Sequence, residues 1–417
     1  MNLYRKPFQI FFLFSVLLFS FLIPIKATAS EVSSFPTCYV RFSGKGLSVY
    51  ADSSMKGKPI ATLPDGTAVQ VISGPMDSCA GISIYGTALD GYVDVRYLKQ
   101  ADAIVCDYDM YTYEEMVEDI RQLQARYPGL LHVNTIGTSV DNRALYELVM
   151  GNENATEHIL IQAGIHAREY ANPLLVMEQL EYCLKYYDSG TYGGISYREL
   201  FSNAAIHIIP MVNPDGIAIS QFGESGLRSS ELIQTVRTCY QCDILTMRTK
   251  SSYENYLKEW KANAHGVDLN RNFPAGFGFD AKVVLPSYSE YAGAAPLSEP
   301  ETSALASVTQ KYSPSIIISY HSMGEIAYYD VAGTGYHQLH KDFSKYMLSL
   351  VPYKKMPAGD IMTGSYLDYI YSNGTPVCSI TFETGNVACP LPATQYPNIW
   401  LQHSIVLPAA ALYAYIN

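Results

Sequence analysis

The sequence is poor in basic residues: 28 lysines and arginines stand against 39 aspartates and glutamates, so the net charge is −11 at pH 7. A chain this acidic is a poor candidate for binding nucleic acid or an anionic membrane surface. Charged residues of both signs make up only 16% of the chain, while apolar residues make up 48%. These proportions exclude a disordered chain and indicate a globular one. At 417 residues it can hold a large domain and a small module.

The longest apolar run lies at the N-terminus. Arg5 and Lys6 precede the apolar segment Phe8–Ile25, and Ala27-Thr28-Ala29 follows it. A basic start, an apolar middle and a small-x-small exit predict a signal peptide over residues 1–29, with an uncleaved membrane anchor as the alternative. We therefore expect a secreted or cell-wall-associated protein, a monomer with no membrane span after cleavage. Its net charge would be −14, because the removed segment carries three cations and no acid.

Cysteines are few, at eight, and they do not form a pattern of structural zinc ligands. Cys239-Tyr-Gln-Cys242 has the spacing of a redox or zinc pair, but no second such pair and no nearby histidine completes a site. Two possibilities therefore remain open for this pair: a local disulfide or two plain thiols. In an exported protein the cysteines can pair, and the sequence does not choose the connectivity.

Residues 31–105 are rich in short β-type runs and turn residues, with no helical period, which predicts a small all-β barrel. Gly46–Val49, Leu63–Thr67 and Gly91–Val93 resemble a bacterial Src-homology-3-like module, although Tyr50–Ser53 replaces the turn usual in that family. The resemblance implies binding to cell-wall peptides. A spacer or a folding aid is the alternative.

From residue 106 to residue 417 the pattern changes to alternating helices and strands. Thr112 and Glu115 predict a capping box at the start of a helix. Several later runs are apolar throughout, as in strands covered on both faces. We predict an α/β, doubly wound mixed sheet with helices on both faces. The predicted strands are Leu131–Ile136, Ala144–Met150, His158–Ala163, Ala205–Val212, Ser315–Tyr320 and Val377–Phe382, and the helices include Pro173–Tyr187, Glu299–Lys311 and Leu401–Ile416.

Chemically reactive side chains follow three of these predicted strands. His166 and Glu169 follow the predicted strand His158–Ala163. His321 follows Ser315–Tyr320, and Glu383 follows Val377–Phe382. Ligands of such sheets lie at the carboxyl ends of the strands, so we expect these side chains to converge. Two histidines and one glutamate leave a zinc coordination position open for water, which is typical of catalytic zinc. A separate carboxylate must then take the proton of that water, and Glu383 is the candidate.

The chain from Tyr108 to Asn417 resembles the zinc carboxypeptidase family. The resemblance rests on five motifs in family order: His166-Ala-Arg-Glu169, Asn213-Pro-Asp-Gly216, Gly266-Val-Asp-Leu-Asn-Arg-Asn272, Ser319-Tyr-His321-Ser322 and Thr381-Phe-Glu383. It implies one zinc ion as the cofactor, held by His166, Glu169 and His321. Each histidine taken alone would by default be a structural residue.

The same resemblance implies roles for four more residues. Glu383 would be the general base that assists the attack of zinc-bound water. Asn270 and Arg271 would grip a carboxylate of the substrate, for which the planar guanidinium is suited. Arg168 would contact the substrate. A surface salt bridge is the alternative for Arg271.

Two positions depart from the digestive members of the family. Those enzymes carry a tyrosine on a loop before the glutamate strand, and here Ala358–Ser365 contains none. They also carry an arginine that polarises the scissile carbonyl, whereas Trp260–Gly266 offers only Lys261 or His265. The donor to the oxyanion is therefore open at this point.

The segment Trp260-Lys-Ala-Asn263 and the run Cys389–Trp400 resemble the bacterial branch that acts on peptidoglycan. Those enzymes cut the bond from γ-D-glutamate to a diamino acid, so the resemblance implies a cell-wall stem peptide as the substrate. A carboxypeptidase that trims ordinary peptides is the first alternative. A zinc deacylase and a non-catalytic wall-binding protein are the others.

Overall fold

The computed structural model describes residues 37–106, 109–279, 281–329, 337–356, 362–372 and 376–417. The predicted signal peptide, residues 1–29, lies outside the described residues.

The N-terminal part is a small antiparallel β domain. A five-stranded sheet in the order β6-β5-β4-β1-β7 is accompanied by the β2–β3 hairpin. Alternate residues along the strands point inward, so that Val40, Val69 and Val93 are fully buried. This arrangement confirms the all-β prediction and is consistent with the Src-homology-3-like pattern. The strands are β1 (Thr37–Val40), β2 (Leu47–Val49), β3 (Ala61–Leu63), β4 (Ala68–Val71), β5 (Cys79–Ile84), β6 (Asp90–Asp94) and β7 (Leu98–Gln100).

The remainder is built on a mixed sheet of eight strands in the order β16-β15-β17-β14-β10-β13-β9-β8. The central strands β13, β10, β14 and β17 are parallel, while β9 and β8 run antiparallel at one edge. On the other side β15 runs antiparallel to β17. The strands are β8 (Leu131–Thr138), β9 (Ala144–Gly151), β10 (Glu157–Ala163), β13 (Ala204–Ile209), β14 (Ile316–His321), β15 (Ile326–Tyr328), β16 (Lys354–Lys355) and β17 (Cys378–Glu383), with a separate hairpin of β11 (Thr191–Tyr192) and β12 (Ile195–Ser196).

Helices cover both faces of this sheet. Ile159 and Ile161 of β10 belong to one buried cluster, whereas Leu160 between them belongs to another. Side chains alternate across a strand, so two separate cores mean two covered faces, as predicted. The helices are α1 (Tyr113–Arg126), α2 (Ala171–Lys185), α3 (Tyr197–Asn203), α4 (Pro214–Phe222), α5 (Ser230–Leu245), α6 (Tyr253–Lys258), α7 (Pro300–Tyr312), α8 (His337–Leu350), α9 (Tyr366–Ser372), α10 (Tyr396–His403) and α11 (Val406–Ile416).

The predicted capping box at the start of α1 is present. The Thr112 hydroxyl accepts the Glu115 amide at 3.1 Å, and the Glu115 carboxylate accepts the Thr112 amide at 2.8 Å. Each contact satisfies a backbone donor that the first turn of a helix leaves free.

Two predicted elements are wrong in their extent because of prolines. The helix predicted over Leu401–Ile416 is two helices, since the ring of Pro408 is incompatible with a helical carbonyl at Ser404. The strand predicted to Val212 ends at Ile209, because Pro210 has no amide to offer the ladder. The strands β14 and β17 each begin and end one residue later than predicted, so His321 and Glu383 are their last residues.

The C-terminal stretch Ala393–Ile416 is long and apolar enough to cross a membrane by length and composition alone. More than half of its most apolar 18-residue window is buried inside the protein. Ala409 and Ala410 are fully buried in the same cluster as the strand residue Ile159. The stretch is therefore accounted for as core of the fold.

The β domain docks on helix α2 through buried charges. The Glu178 carboxylate accepts hydrogen bonds from Arg41 at 2.6 Å, from Lys99 at 2.7 Å and from the Tyr396 hydroxyl at 2.6 Å. One turn further along α2, Glu181 accepts the amides of residues 104 and 105 at 2.7 and 2.8 Å. Buried carboxylates need partners of this kind, so the contact between the two parts is specific.

Candidate metallopeptidase active site

Three neighbouring strands place the predicted reactive side chains together at their carboxyl ends. β10, β14 and β17 are adjacent and parallel, and His321 is paired with Glu383 across the ladder. The loop after β10 begins at Gly164, whose φ of +66° is in the left-handed region. A β-carbon there would come within 3.0 Å of Pro173, so glycine is needed for the turn that presents His166.

His166, Glu169 and His321 form a buried group that could bind a metal. Nδ1 of His166 lies 2.9 Å from one Glu169 carboxylate oxygen, and Nδ1 of His321 lies 3.2 Å from the other. The two Nδ1 atoms are 3.1 Å apart, and the three residues are 2–4% exposed. Two imidazole nitrogens and a carboxylate that converge in this way are the donor set that a single zinc ion takes. The residues therefore fit the predicted cofactor.

Further contacts hold these side chains in place. Oδ1 of the fully buried Asp268 lies 3.4 Å from Nε2 of His166, on the ring edge away from the donor group. Burial alone would raise the pKa of Asp268, but the contact with His166 and the charge of Lys261 hold it well below its ordinary value. An anionic Asp268 favours the tautomer of His166 that leaves Nδ1 free to bind a metal. The Ser322 amide also donates to Glu169 at 3.2 Å.

Glu383 lines a cleft of about 290 Å³ together with His166, His321, Lys261, Asn270 and Arg271. The pKa of Glu383 is raised to about 7, chiefly by burial; the charge of Glu169 also raises it, while the charge of His321 lowers it. The base predicted from the sequence therefore lies beside the metal-binding group with an unusually basic carboxylate.

Asn270 and Arg271 lie in a turn that Asp268 caps, since its carboxylate accepts the Asn270 amide at 3.1 Å. Asn270 in turn accepts the Tyr366 amide at 2.9 Å, which fixes its side chain. Arg271 donates to its neighbour's carbonyl at 2.8 Å, and none of the described acids forms an ion pair with it. The salt-bridge alternative for Arg271 therefore has no support among the described residues.

Among the predicted site residues, Glu169 and Arg168 do not line the cleft; Glu169 is buried in the metal-binding group, whereas Arg168 belongs to neither. Its guanidinium donates to the Glu259 carbonyl at 3.5 Å. Its charge still acts on Glu383, whose pKa it lowers. Arg168 thus lies near the site, while the structure gives it no direct place in the cleft.

The two candidate donors to an oxyanion are separated by the structure. Lys261 lines the cleft, as noted above, and its charge acts on Glu383. His265 instead hydrogen bonds to Glu299 at 2.8 Å, which raises the pKa of His265. Of these two residues, only Lys261 faces the reactive groups.

Sequence reasoning missed a row of three hydroxyls beneath the reactive groups. Ser319, Thr381 and Tyr328 are paired with one another across β14, β17 and β15, and all three line the cleft. Ser319 lies two residues before His321, and Thr381 lies two residues before Glu383. Each therefore points to the same face of the sheet as its partner, about 6.6 Å away along the strand. We call these three residues the hydroxyl row. A short strand such as β15 leaves no period in the sequence from which Tyr328 could have been found.

The cysteines Cys239 and Cys242 lie three residues apart on α5, and in this structure they are free thiols, which is one of the two predicted alternatives.

Comparisons with known proteins agree with this geometry. The family model described as zinc carboxypeptidase matches residues 116–404, well over half of the chain. Uncharacterized protein YqgT of Bacillus subtilis is 27% identical over 76% of this chain and 81% of its own length. Gamma-D-glutamyl-L-diamino acid endopeptidase 1 of Lysinibacillus sphaericus is 27% identical over 73% of this chain and 72% of its own.

Among solved structures, thrombin-activatable fibrinolysis inhibitor has a TM-score of 0.57 at 20% identity, covering 75% of this chain and 76% of that one. At that identity the likeness concerns the fold. The family match spans the whole sheet and all three residues of the metal-binding group. The chain belongs to the zinc carboxypeptidase family and is a zinc metallopeptidase.

Proposed function

We propose that this metallopeptidase is exported and hydrolyses the γ-D-glutamyl–diamino acid bond of peptidoglycan stem peptides. The observation that carries the proposal is the hydroxyl row, which gives the cleft a polar floor beneath the reactive groups. The side chain of a diamino acid such as diaminopimelate ends in an ammonium and a carboxylate that such a floor can hydrogen bond. An aliphatic or aromatic side chain would leave the three hydroxyls without partners, which costs binding energy.

Two independent features support the same substrate. One similar protein carries a name that specifies the γ-D-glutamyl–L-diamino acid bond. The sequence also begins with the pattern of a signal peptide and continues into a module like those that bind cell walls. An exported enzyme with such a module would meet peptidoglycan as its nearest substrate.

The chemistry follows from the residues around the metal-binding group. A zinc ion held by His166, Glu169 and His321 would act as a Lewis acid toward the scissile carbonyl and activate the attacking water. Glu383 would accept the proton of that water and pass it to the leaving amine. Its pKa of about 7 suits a group that must take and release a proton near neutral pH.

Two further groups would orient the substrate and stabilise charge. The Lys261 ammonium would face the negative charge that develops on the carbonyl oxygen, in the place of the arginine that digestive relatives use. Arg271 would hold a carboxylate of the diamino acid through its planar fork, and Asn270 would add a neutral donor.

The test is a comparison of substrates with the zinc-loaded mature chain. One substrate is the stem tripeptide L-Ala-γ-D-Glu-diaminopimelate, and the other is a panel of ordinary peptides with free C-termini. We expect release of diaminopimelate with little action on the panel. Stepwise loss of C-terminal residues from the panel, with the tripeptide intact, would overturn the proposal.

The second candidate is a carboxypeptidase of ordinary peptides. The position of Arg271 in the cleft favours it, because the same clamp would hold any terminal carboxylate. The panel described above decides between the two substrates. Absence of cleavage of both, with zinc bound, would instead favour a deacylase or a non-catalytic wall-binding protein.

A further inference from the structure

The loop that carries Lys261 runs through the interior of the protein. Of residues 260–267, only Lys261 and His265 are appreciably exposed, while Trp260 and Asn263 are fully buried. Loops usually lie on the surface, because a buried loop must find partners inside the protein for its backbone amides and carbonyls. We call residues 260–267 the lysine loop. The internal hydrogen bonds of this loop therefore decide how firmly Lys261 is held.

Asn263 holds the lysine loop together with every hydrogen-bonding group that it has. Its backbone amide donates to the Val267 carbonyl at 2.9 Å, and its own carbonyl accepts the Gly266 amide at 3.0 Å and the Trp260 indole at 3.2 Å. Its side-chain oxygen accepts the amides of His265 and Val267 at 3.0 and 3.1 Å. The loop closes on this one side chain, so replacement of Asn263 would leave these two backbone amides without their partner.

The side-chain nitrogen of Asn263 is held by two buried carboxylates. It donates to Glu299 at 2.8 Å and to Glu301 at 3.2 Å, and these acids are 5% and 1% exposed. Glu301 also accepts the Val140 amide at 3.1 Å. Burial, together with the charge of Asp215, raises the pKa of Glu301 to about 7. An amide side chain fits between these acids, whereas a carboxylate of the same shape would bring a third acid against the first two.

Two residues before Asn263, the backbone of Lys261 is tied to the loop that carries the metal-binding residues. The Lys261 carbonyl accepts the Ala167 amide at 3.2 Å, next to His166, and the Lys261 amide donates to the Tyr288 carbonyl at 2.9 Å. Lysine has a flexible four-carbon stem, so its backbone must be fixed if its ammonium is to have a defined place. A donor to an oxyanion must be preorganised, because a misplacement of about 1 Å can lower the rate about 100-fold.

We propose that Asn263 is a positioning residue for hydrolysis, which fixes the backbone from which the Lys261 ammonium reaches the oxyanion. Glu299 and Glu301 hold Asn263 and act through it. This inference rests on the role of Lys261 in the proposed function and deepens it. Substitution of Asn263 should therefore slow the chemical step. Substrate binding, which depends on Arg271 and the hydroxyl row, should stay nearly the same.

The experiment is a double-mutant cycle with the zinc-loaded mature chain. The substrate is whichever of the peptides above the wild-type enzyme cleaves fastest, so the outcome does not depend on the diamino acid. We expect Asn263→Asp to lower kcat by roughly 10- to 100-fold with KM nearly unchanged. In a Lys261→Met background the same substitution should lower kcat by less than about twofold, because the donor that Asn263 positions is already absent. An equal fall in both backgrounds would show a purely structural role and would overturn the inference.

Asn263→Ser is a second variant, which adds no charge and should fold even if Asn263→Asp does not. Its shorter side chain cannot span both the loop amides and the two carboxylates. We expect kcat to fall by roughly three- to tenfold, again only when Lys261 is present. An unchanged kcat in both Asn263 variants would overturn the inference and leave Lys261 as the donor.

The controls separate the possible failures. Asn255→Asp makes the same change at an exposed position of α6 and should leave kcat unchanged. Zinc content, measured by elemental analysis, should be the same in every variant, because Asn263 does not belong to the metal-binding group. Loss of zinc from Asn263→Asp would overturn the inference, since the fall in kcat would then come from the metal site. An unchanged kcat in Lys261→Met would overturn the proposed role of Lys261 and the inference with it.

Discussion

At the scale of single residues, the site depends on carboxylates whose surroundings give them different properties. Burial raises the pKa of Glu383 to about 7, whereas the pKa of Asp268 is held well below its ordinary value by His166 and Lys261, against the effect of burial. The first suits proton transfer, and the second suits permanent charge beside a metal ligand. The sequence alone could nominate Glu383, but the difference between the two acids depends on neighbours that only the fold supplies.

Glu383→Gln tests the proposed base. The amide keeps the shape of the side chain but cannot accept a proton, so we expect kcat to fall by about 100-fold or more. Zinc content, measured by elemental analysis, should stay unchanged because Glu383 is not one of the three metal-binding residues. Substantial hydrolysis by a clean preparation of the variant would contradict the assignment.

Lys261→Met tests the proposed oxyanion donor. Removal of a preorganised donor lowers kcat by about 100- to 1,000-fold in other hydrolases, and we expect a loss of that order with little change in KM. Lys261→Arg should recover part of kcat, because the charge is retained. His265→Ala is the matched control, since its ring is occupied with Glu299, and a comparable loss there would argue against Lys261.

At the scale of elements, the strands predicted from apolar runs are present because burial on both faces demands such runs. The edge of the sheet at β15 and β16 could not be predicted in this way. β15 has three residues and β16 has two, which is too short to show the alternating hydrophobic period of a strand. They become strands only through their pairing with neighbours. This is why the metal-binding residues were found from the sequence, while Tyr328 was not.

Tyr328→Phe and Thr381→Val test the hydroxyl row at this scale. Each substitution removes a hydroxyl and nearly preserves shape. One lost hydrogen bond corresponds to up to about a tenfold change, so we expect kcat/KM for a diaminopimelate substrate to fall by that factor. The same substrate with leucine in that position should be cleaved no more slowly than before. An equal fall for both substrates would show that the hydroxyls support the site and do not select the substrate.

At the scale of the whole molecule, the β domain and helix α2 are joined by a buried ionic contact. Glu178 is shared by Arg41, Lys99 and Tyr396, and Glu181 accepts two backbone amides from the segment that leaves the β domain. Helix α2 starts two residues after Glu169. The pattern of short strands and turn residues in residues 31–105 predicted a β module, but such a pattern carries no information about where that module docks.

Arg41→Met tests the energetic importance of this contact. The change leaves Glu178 buried with fewer partners, and breaking such a pair costs about 3–5 kcal/mol. We expect the free energy of unfolding, measured with urea, to fall by about that much. Arg121→Met is the matched control, because the Arg121–Glu118 pair is exposed and solvent screens it, so its loss should change the free energy of unfolding very little. Equal effects of the two variants would mean that the buried contact adds nothing to stability.

Two members of the hydroxyl row, Ser319 and Thr381, lie on the same strands as His321 and Glu383, two residues earlier in each strand. His321 and Glu383 occupy the ends of β14 and β17, and Ser319 and Thr381 occupy the next positions inward on the same face. Substitutions at Ser319 and Thr381 could therefore change the substrate preference without moving the groups that take part in hydrolysis. Directed evolution could begin at the same two positions, because under the proposed function the inner pair selects the substrate and the outer pair takes part in its hydrolysis.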